Sequence, residues 1–508
     1  MSMKFKRLFA MIICFSMVVA SFSIIGNTKA VKTVKAEDVT FNDMDMAAMV
    51  EAMGAGWNLG NQLEASNGGT PSETAWGNPV ITEDLIKLVK SAGFKTIRVP
   101  VSYLSKITYN STTDTYEIDS AWLNRVKEVV DYCVNNDIYT IINMHGDGYN
   151  TVQGGWLLCN GSDQTTIKKK YKDCWNQIAT TFKDYDEHLI FESMNEEFDG
   201  TYDTPNTKYY SNINAYNQIF VDTVRQTGSN NLKRWLLIPG WNTNIEYTVG
   251  DYGFKLPTDS NLDSSVSGKR IMISVHYYDP WDFAGEGNTT QWGSLATGTV
   301  SDWGQEDYMK DQMKQLYTKF TSKGYPVVIG EYGATDVSSY DSMNLTCRKD
   351  YYKKLCKFAA GNYCVPVTWD NNGHSTSSRG DQFGLFDRSS LKATENGSAI
   401  IESIMSIYNN YSQYKPDESS SSTTTKGKIT INLKNNKKYK MAKKVIVKSN
   451  KGIKKITING KKVKCTVKKK KCTFKLKKYK KYLKKRKKNK LIVIDIKKNK
   501  KTVKFVVK

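Results

Sequence analysis

The sequence predicts an α/β fold, a (β/α)8 TIM barrel, followed by a small all-β sandwich domain. Three observations carry this. From about residue 40 to 410, eight short apolar runs alternate with amphipathic helical stretches. A Ser/Thr-rich stretch then breaks the pattern. Beyond it, apolar residues alternate with lysine at a period of two, the habit of a sheet with one face buried.

In chain order, Lys4, Lys6 and Arg7 precede an apolar stretch over 8–25, and small-residue cleavage positions follow at Ala30 or Ala36. Residues 1–36 therefore read as a secretory signal peptide, and the mature chain as exported. An uncleaved anchor is the alternative, because the apolar stretch nearly reaches spanning length. The barrel domain is expected over 37–411. Its strands are expected at 55–59, 96–101, 139–144, 189–193, 234–239, 271–275, 327–330 and 365–369. Helices are expected at 83–92, 121–135, 165–183, 215–226, 305–323, 342–360 and 398–407, with a loop-rich fifth connection over 242–269. Eight such repeats fit a closed barrel better than an open doubly wound sheet. No G-x-G-x-x-G or P-loop follows a strand, which weakens nucleotide-binding versions of the fold. A linker is expected over 412–425 and a lysine-rich β-sandwich module over 426–508, with strands at 428–433, 444–448, 454–458, 462–467, 473–476, 491–496 and 502–507.

Charge divides the chain in the same place. Residues 426–508 hold 36 Lys plus Arg and one acid, Asp495, giving +35, while the other 425 residues carry −11 of the overall +24. Two modules with different partners follow from that asymmetry. The basic module is expected to bind polyanions, such as an anionic cell-wall polymer or a membrane surface, with nucleic acid only an accidental partner. It has tyrosines but no tryptophan for stacking on a neutral sugar. Cys465 and Cys472 flank a turn and could form a cross-strand bridge; the remaining cysteines show neither a disulfide framework nor zinc spacing. The chain has only four histidines, so no metal centre and no cofactor are expected.

Two glutamates stand out. Glu196 and Glu331 each follow an apolar strand, 135 residues apart. A carboxylate at such a position costs stability unless it is paired or used. Either alone would read as a salt-bridged strand end; the two together suggest one site assembled at the mouth of a barrel. The motifs around them occur in a telling order: Gly56-Trp57-Asn58-Leu59-Gly60-Asn61, Trp76-Gly77-Asn78-Pro79, Ile97-Arg98-Val99-Pro100, Asn143-Met144-His145, Asn195-Glu196, His276-Tyr277-Tyr278, Gly330-Glu331-Tyr332-Gly333 and Trp369-Asp370-Asn371. In this order they resemble glycoside hydrolase family 5, and look most like its endoglucanase (cellulase) branch. Two departures are Glu197, where many members have proline, and Gly146, where a second histidine is frequent.

The resemblance implies a retaining glycosidase acting on internal β-1,4-glucosidic bonds of a β-glucan polysaccharide. A monomer is expected, secreted by virtue of the signal peptide and retained at the cell surface through the basic module. The resemblance assigns Glu196 as acid/base and Glu331 as nucleophile, with a gap of about 5–5.5 Å for retention. Glu196 should then be protonated while Glu331 is ionised, and Glu197 should point away from the site. Arg98 and Tyr278 would hydrogen-bond Glu331, Asn195 would hold a sugar 2-hydroxyl, and His145 and His276 would bind hydroxyls or orient the carboxylates. Trp369 would stack on a pyranose. Trp57, Trp76, Trp156, Trp241, Trp281 and Trp292 stand near loops or strand ends and could extend the platform along a groove, although any one of them is more often a core residue or loop anchor. Xyloglucanase, mixed-linkage glucanase and mannanase are the alternatives within the family. A non-catalytic polysaccharide-binding surface protein is the alternative outside it. The module weakly resembles bacterial Ig-like surface domains.

Overall fold

The structure, a computed structural model, describes residues 41–416, 429–434, 436–449, 453–464, 467–468, 471–495 and 500–508. The expected signal peptide and most of the expected linker lie outside these. Eight strands, β1 (Gly56–Asn58), β2 (Thr96–Val99), β3 (Tyr139–Ile142), β4 (Leu189–Glu192), β5 (Leu236–Pro239), β6 (Ile271–Tyr277), β7 (Val327–Tyr332) and β8 (Cys364–Thr368), close into a barrel. Each pairs in parallel with its sequence neighbours, and β8 closes on β1. Every residue of these eight strands is buried, because helices cover the outside and side chains fill the inside.

The helices that cover the barrel are α1 (Glu83–Ser91), α2 (Ser120–Val134), α3 (Gln164–Thr181), α4 (Thr207–Gln226), α5 (Ile245–Val249), α6 (Glu306–Lys319), α7 (Asn344–Ala360) and α8 (Glu395–Tyr408). Several start where an oxygen-bearing side chain caps the first turn: Thr82, Asp119 and Asp163 accept from the amides of Leu85, Trp122 and Thr166. The α4 helix begins eight residues before its expected start. Its first turns are polar on the outer face and hide the period, but Asn206 caps it and Tyr210 and Ile213 are buried. The five-residue α5 is the only α-helix in the loop-rich fifth connection over 242–269 among the described residues, and follows a 3-10 turn at Trp241–Thr243. Tyr411–Tyr414, which takes in the first residues of the expected linker, forms one more helical turn.

Strands β6 and β7 run two residues further than the apolar pattern indicates. Their register shifts between Val275 and His276, and β7 slips against β8 between Ile329 and Tyr332. Such irregularities re-aim side chains at barrel rims. Here they bring His276 opposite Glu331.

The module has a four-stranded and a five-stranded sheet among the described residues, with two-residue strands in addition to most of those expected. Val445, Val447, Ile456, Ile458, Phe474, Leu491, Val493 and Phe505 fill the space between them. Lys444, Lys448, Lys471, Lys475, Lys490 and Lys504 face outward and are exposed. Cys472 is disulfide-bonded; its expected partner, Cys465, lies outside the described residues. The six described barrel cysteines are free and buried.

Candidate active site

At the C-terminal mouth of the barrel, one carboxylate oxygen of Glu196, one of Glu331 and a ring nitrogen of His276 lie within 4.8 Å of one another. The two acids come from opposite walls, the end of β4 and β7. Arg98, on β2 and fully buried, reaches four partners. Its Nη1 donates to Glu331 Oε1 (2.8 Å) and Asn58 Oδ1 (3.0 Å), its Nη2 to Asn195 Oδ1 (2.6 Å) and its Nε to Glu192 Oε2 (2.7 Å). Burial works against that charge, but Glu192 and Glu331 outweigh it and hold the guanidinium protonated above its usual range. Tyr278 Oη donates to Glu331 Oε2 at 3.1 Å.

Glu196 has a different set of neighbours. His276 Nδ1 lies 2.6 Å from its Oε1, and Tyr149 Oη donates to its Oε2 at 2.9 Å. The Tyr149 hydroxyl also accepts from Asn195 Nδ2 at 2.7 Å. Burial, with the nearby carboxylates, keeps the Tyr149 and Tyr278 phenols far above their ordinary range, so both stay donors. His145 is held neutral by burial, with Arg98 and His276 adding to the effect. Its Nε2 is 4.0 Å from Glu331 Oε1, and its ring stacks on Trp369, 6.2 Å between centroids at 12°. Thus Arg98, His145, Asn195, His276, Tyr278 and Trp369 all converge with the two glutamates.

On each of the two carboxyls, burial and His276 act in opposite directions. Burial pushes Glu196 up, but the charge and hydrogen bond of His276 outweigh burial and draw it below its ordinary value. Burial pushes Glu331 up, and repulsion from Glu196 helps, despite His276 and Arg98. The cause is distance: His276 Nδ1 is 2.6 Å from Glu196 and 3.6 Å from Glu331. The Glu196–His276–Glu331 cluster has the donor types for a cation, but Arg98 already occupies Glu331 Oε1. Asp186, Glu187 and His188, at the other end of β4, form a second such group, with His188 bridging Asp186 and Asp137.

A cleft of about 650 Å³ opens beside Glu196 and His276, with Tyr202, Trp281 and Trp303 along it. The six other tryptophans of the candidate platform divide between core and surface roles. Trp57, Trp241 and Trp292 are fully buried packing residues, because Trp57 Nε1 bonds Asp370 and Trp292 Nε1 bonds the Gly304 carbonyl. Trp156 is half-buried and bonds Asp147; Trp76 and Trp281 are about half exposed.

The profile "Cellulase (glycosyl hydrolase family 5)" matches residues 60–375. Endoglucanase A of Paenibacillus barcinonensis is 55% identical over 377 residues, covering 73% of this chain and 92% of that protein. The chain belongs to glycosyl hydrolase family 5. A family 5 xyloglucanase structure from Paenibacillus pabuli is 60% identical with a TM-score of 0.68, covering 71% of this chain and 99% of that one. A glycoside hydrolase 5 lichenase from Caldicellulosiruptor sp. F32 in complex with cellotetraose is 36% identical, TM-score 0.62, covering 73% and 98%. This family 5 member is a retaining glycoside hydrolase of β-glucan-type polysaccharides.

Both departures from the family pattern have local reasons. A Cβ on Gly146 would stand 2.6 Å from Ser102 Oγ, which accepts from the Gly146 amide. No second histidine fits there unless Ser102 moves. Glu197 turns away from the cleft, as expected, and is buried. Sequence reasoning missed Tyr149, Glu192, Ser274 and Trp303. Glu192 had a signal, an acid inside an apolar strand, and it is satisfied by Arg98, Asn143 and Ser274. Tyr149 sits in an irregular loop with no periodicity to reveal it.

Proposed function

We propose that the chain is an endo-β-1,4-glucanase working with net retention, Glu196 as acid/base and Glu331 as nucleophile. The observation that carries this is that one oxygen of each carboxylate lies within 4.8 Å of the other, a closer approach than suits an inverting pair, whose carboxyl groups stand about 6.5–9.5 Å apart around a water. Glu331 attacks the anomeric carbon while the bond to the leaving oxygen breaks and Glu196 protonates that oxygen. Water then gives its proton to Glu196 and attacks the same carbon, freeing Glu331. His276 Nδ1 stands 2.6 Å from Glu196 Oε1. A bound sugar that excludes water disfavours a buried charge on Glu196 and so favours its protonated form. Glu331 keeps the direct hydrogen bond of the Arg98 guanidinium, which favours its ionised form. Asn195, fixed by Arg98 and Tyr149, suits a sugar 2-hydroxyl.

A branched glucan is the second reading, favoured by the broad cleft flanked by Trp281 and Trp303 and by likeness to a xyloglucanase. Initial rates on carboxymethylcellulose, mixed-linkage glucan, xyloglucan, xylan and mannan rank the substrates. Proton NMR of the first product should give the β-anomer; an α-anomer would refute the mechanism. The basic module is read as an electrostatic tether of an exported enzyme to an anionic cell-wall polymer. Its retention on isolated cell walls should fall steeply between about 50 and 200 mM salt; salt-indifferent retention would refute the tether.

A further inference from the structure

Glu197 is a buried acid that the reaction does not use. Its Oε1 accepts from the Cys159 amide at 2.6 Å, and its carbonyl accepts from the Asn242 amide at 2.9 Å. Its Oε2 lies against Gly148, where an added Cβ would stand 2.4 Å away, and has no hydrogen-bond partner. The carboxyl therefore touches the loop after β3 at residue 159 and at the residue just before Tyr149. Tyr149 is the loop's contribution to the site, donating to Glu196. Asp147 anchors the same loop through the Tyr103 and Leu104 amides and Trp156 Nε1.

We propose that Glu197 is a positioning residue: its carboxyl pins the 146–159 loop to the end of β4 and so sets the hydrogen bond that Tyr149 gives the acid/base. This rests on Glu196 being the acid/base. A leucine of similar size would leave the buried Cys159 N–H without its acceptor, so the carboxyl is what ties the loop down. The titratable groups facing Glu197 are Cys159 on the loop, Tyr171 on α3 and Tyr216 on α4, with Asp199 beyond Cys159. None is a cation, and burial pushes the Glu197 carboxyl well above its ordinary range, so the latch is the neutral acid. The folded state then keeps this proton to a higher pH than the unfolded chain does. Stability from the latch falls as pH rises from the ordinary carboxylate range through that raised value.

The test is a double-mutant cycle of Glu197→Ala and Tyr149→Phe, assayed on aryl β-cellobiosides with a good and a poor leaving group. A poor leaving group needs the acid, so Glu197→Ala should cost about tenfold in kcat/KM there and less than about twofold with dinitrophenolate. In the Tyr149→Phe background the further loss should be under about twofold. Equal losses on both substrates, or undiminished loss without the Tyr149 hydroxyl, would overturn the proposal. Should Glu197→Ala fail to fold, Glu197→Gln keeps the acceptor and cannot ionise. It should hold the wild-type rate at low pH and flatten the decline of both stability and activity at high pH; an unchanged profile would overturn the proposal. A wild type inactive on both glycosides and on every polysaccharide would instead refute the catalytic reading itself.

Discussion

Glu331→Ala is expected to lower kcat by about 10⁴-fold or more while leaving the fold intact. Glu331 is 6% exposed and lies at the rim, so the methyl group leaves a small solvent-connected gap. The loss should be specific: azide, small enough to enter that gap, attacks the anomeric carbon from the vacated face. Turnover should return with an inverted glycosyl azide. In Glu196→Ala the same anion should act on the glycosyl-enzyme and yield the retained azide. These opposite stereochemical outcomes assign the two roles independently of rate. Rescue with the same configuration in both variants would refute the assignment.

Arg98→Leu should be the largest single loss of stability in the site. It leaves Glu192 with no cation inside the barrel and removes the direct partner of Glu331, both of which Arg98 contacts at under 3 Å. Breaking a buried pair from one side costs about 3–5 kcal/mol, which a urea melt resolves. Arg98→Lys should recover little, because one ammonium cannot serve Glu192, Asn58, Asn195 and Glu331 from a single point. A melt within about 1 kcal/mol of wild type would show that Glu192 needs no counter-charge.

How far the sequence could be read depends on which physical signal each feature leaves. The barrel strands are apolar on both faces and bounded by turn residues, so all eight were legible to within a few residues. Glu196 and Glu331 were legible because an acid after an apolar run is anomalous, and the surrounding motifs made the reading specific. Three things were not. The extensions of β6 and β7 depend on bulges, which are tertiary. Trp57, Trp241 and Trp292 stand near strand ends like platform residues, and only packing tells a buried indole from an exposed one. The distances from His276 to the two glutamates, 2.6 Å to Glu196 and 3.6 Å to Glu331, are set by tertiary packing, which no spacing encodes.

The lysine coat of the C-terminal sheets has a practical side. Carboxymethylcellulose, a usual soluble test material, is itself densely anionic, so the appendage would gather it irrespective of what the barrel prefers. Turnover measured in dilute buffer would then overstate the appetite for that polymer relative to uncharged glucans. Ranking should survive a change of ionic strength before it is taken as the barrel's own taste.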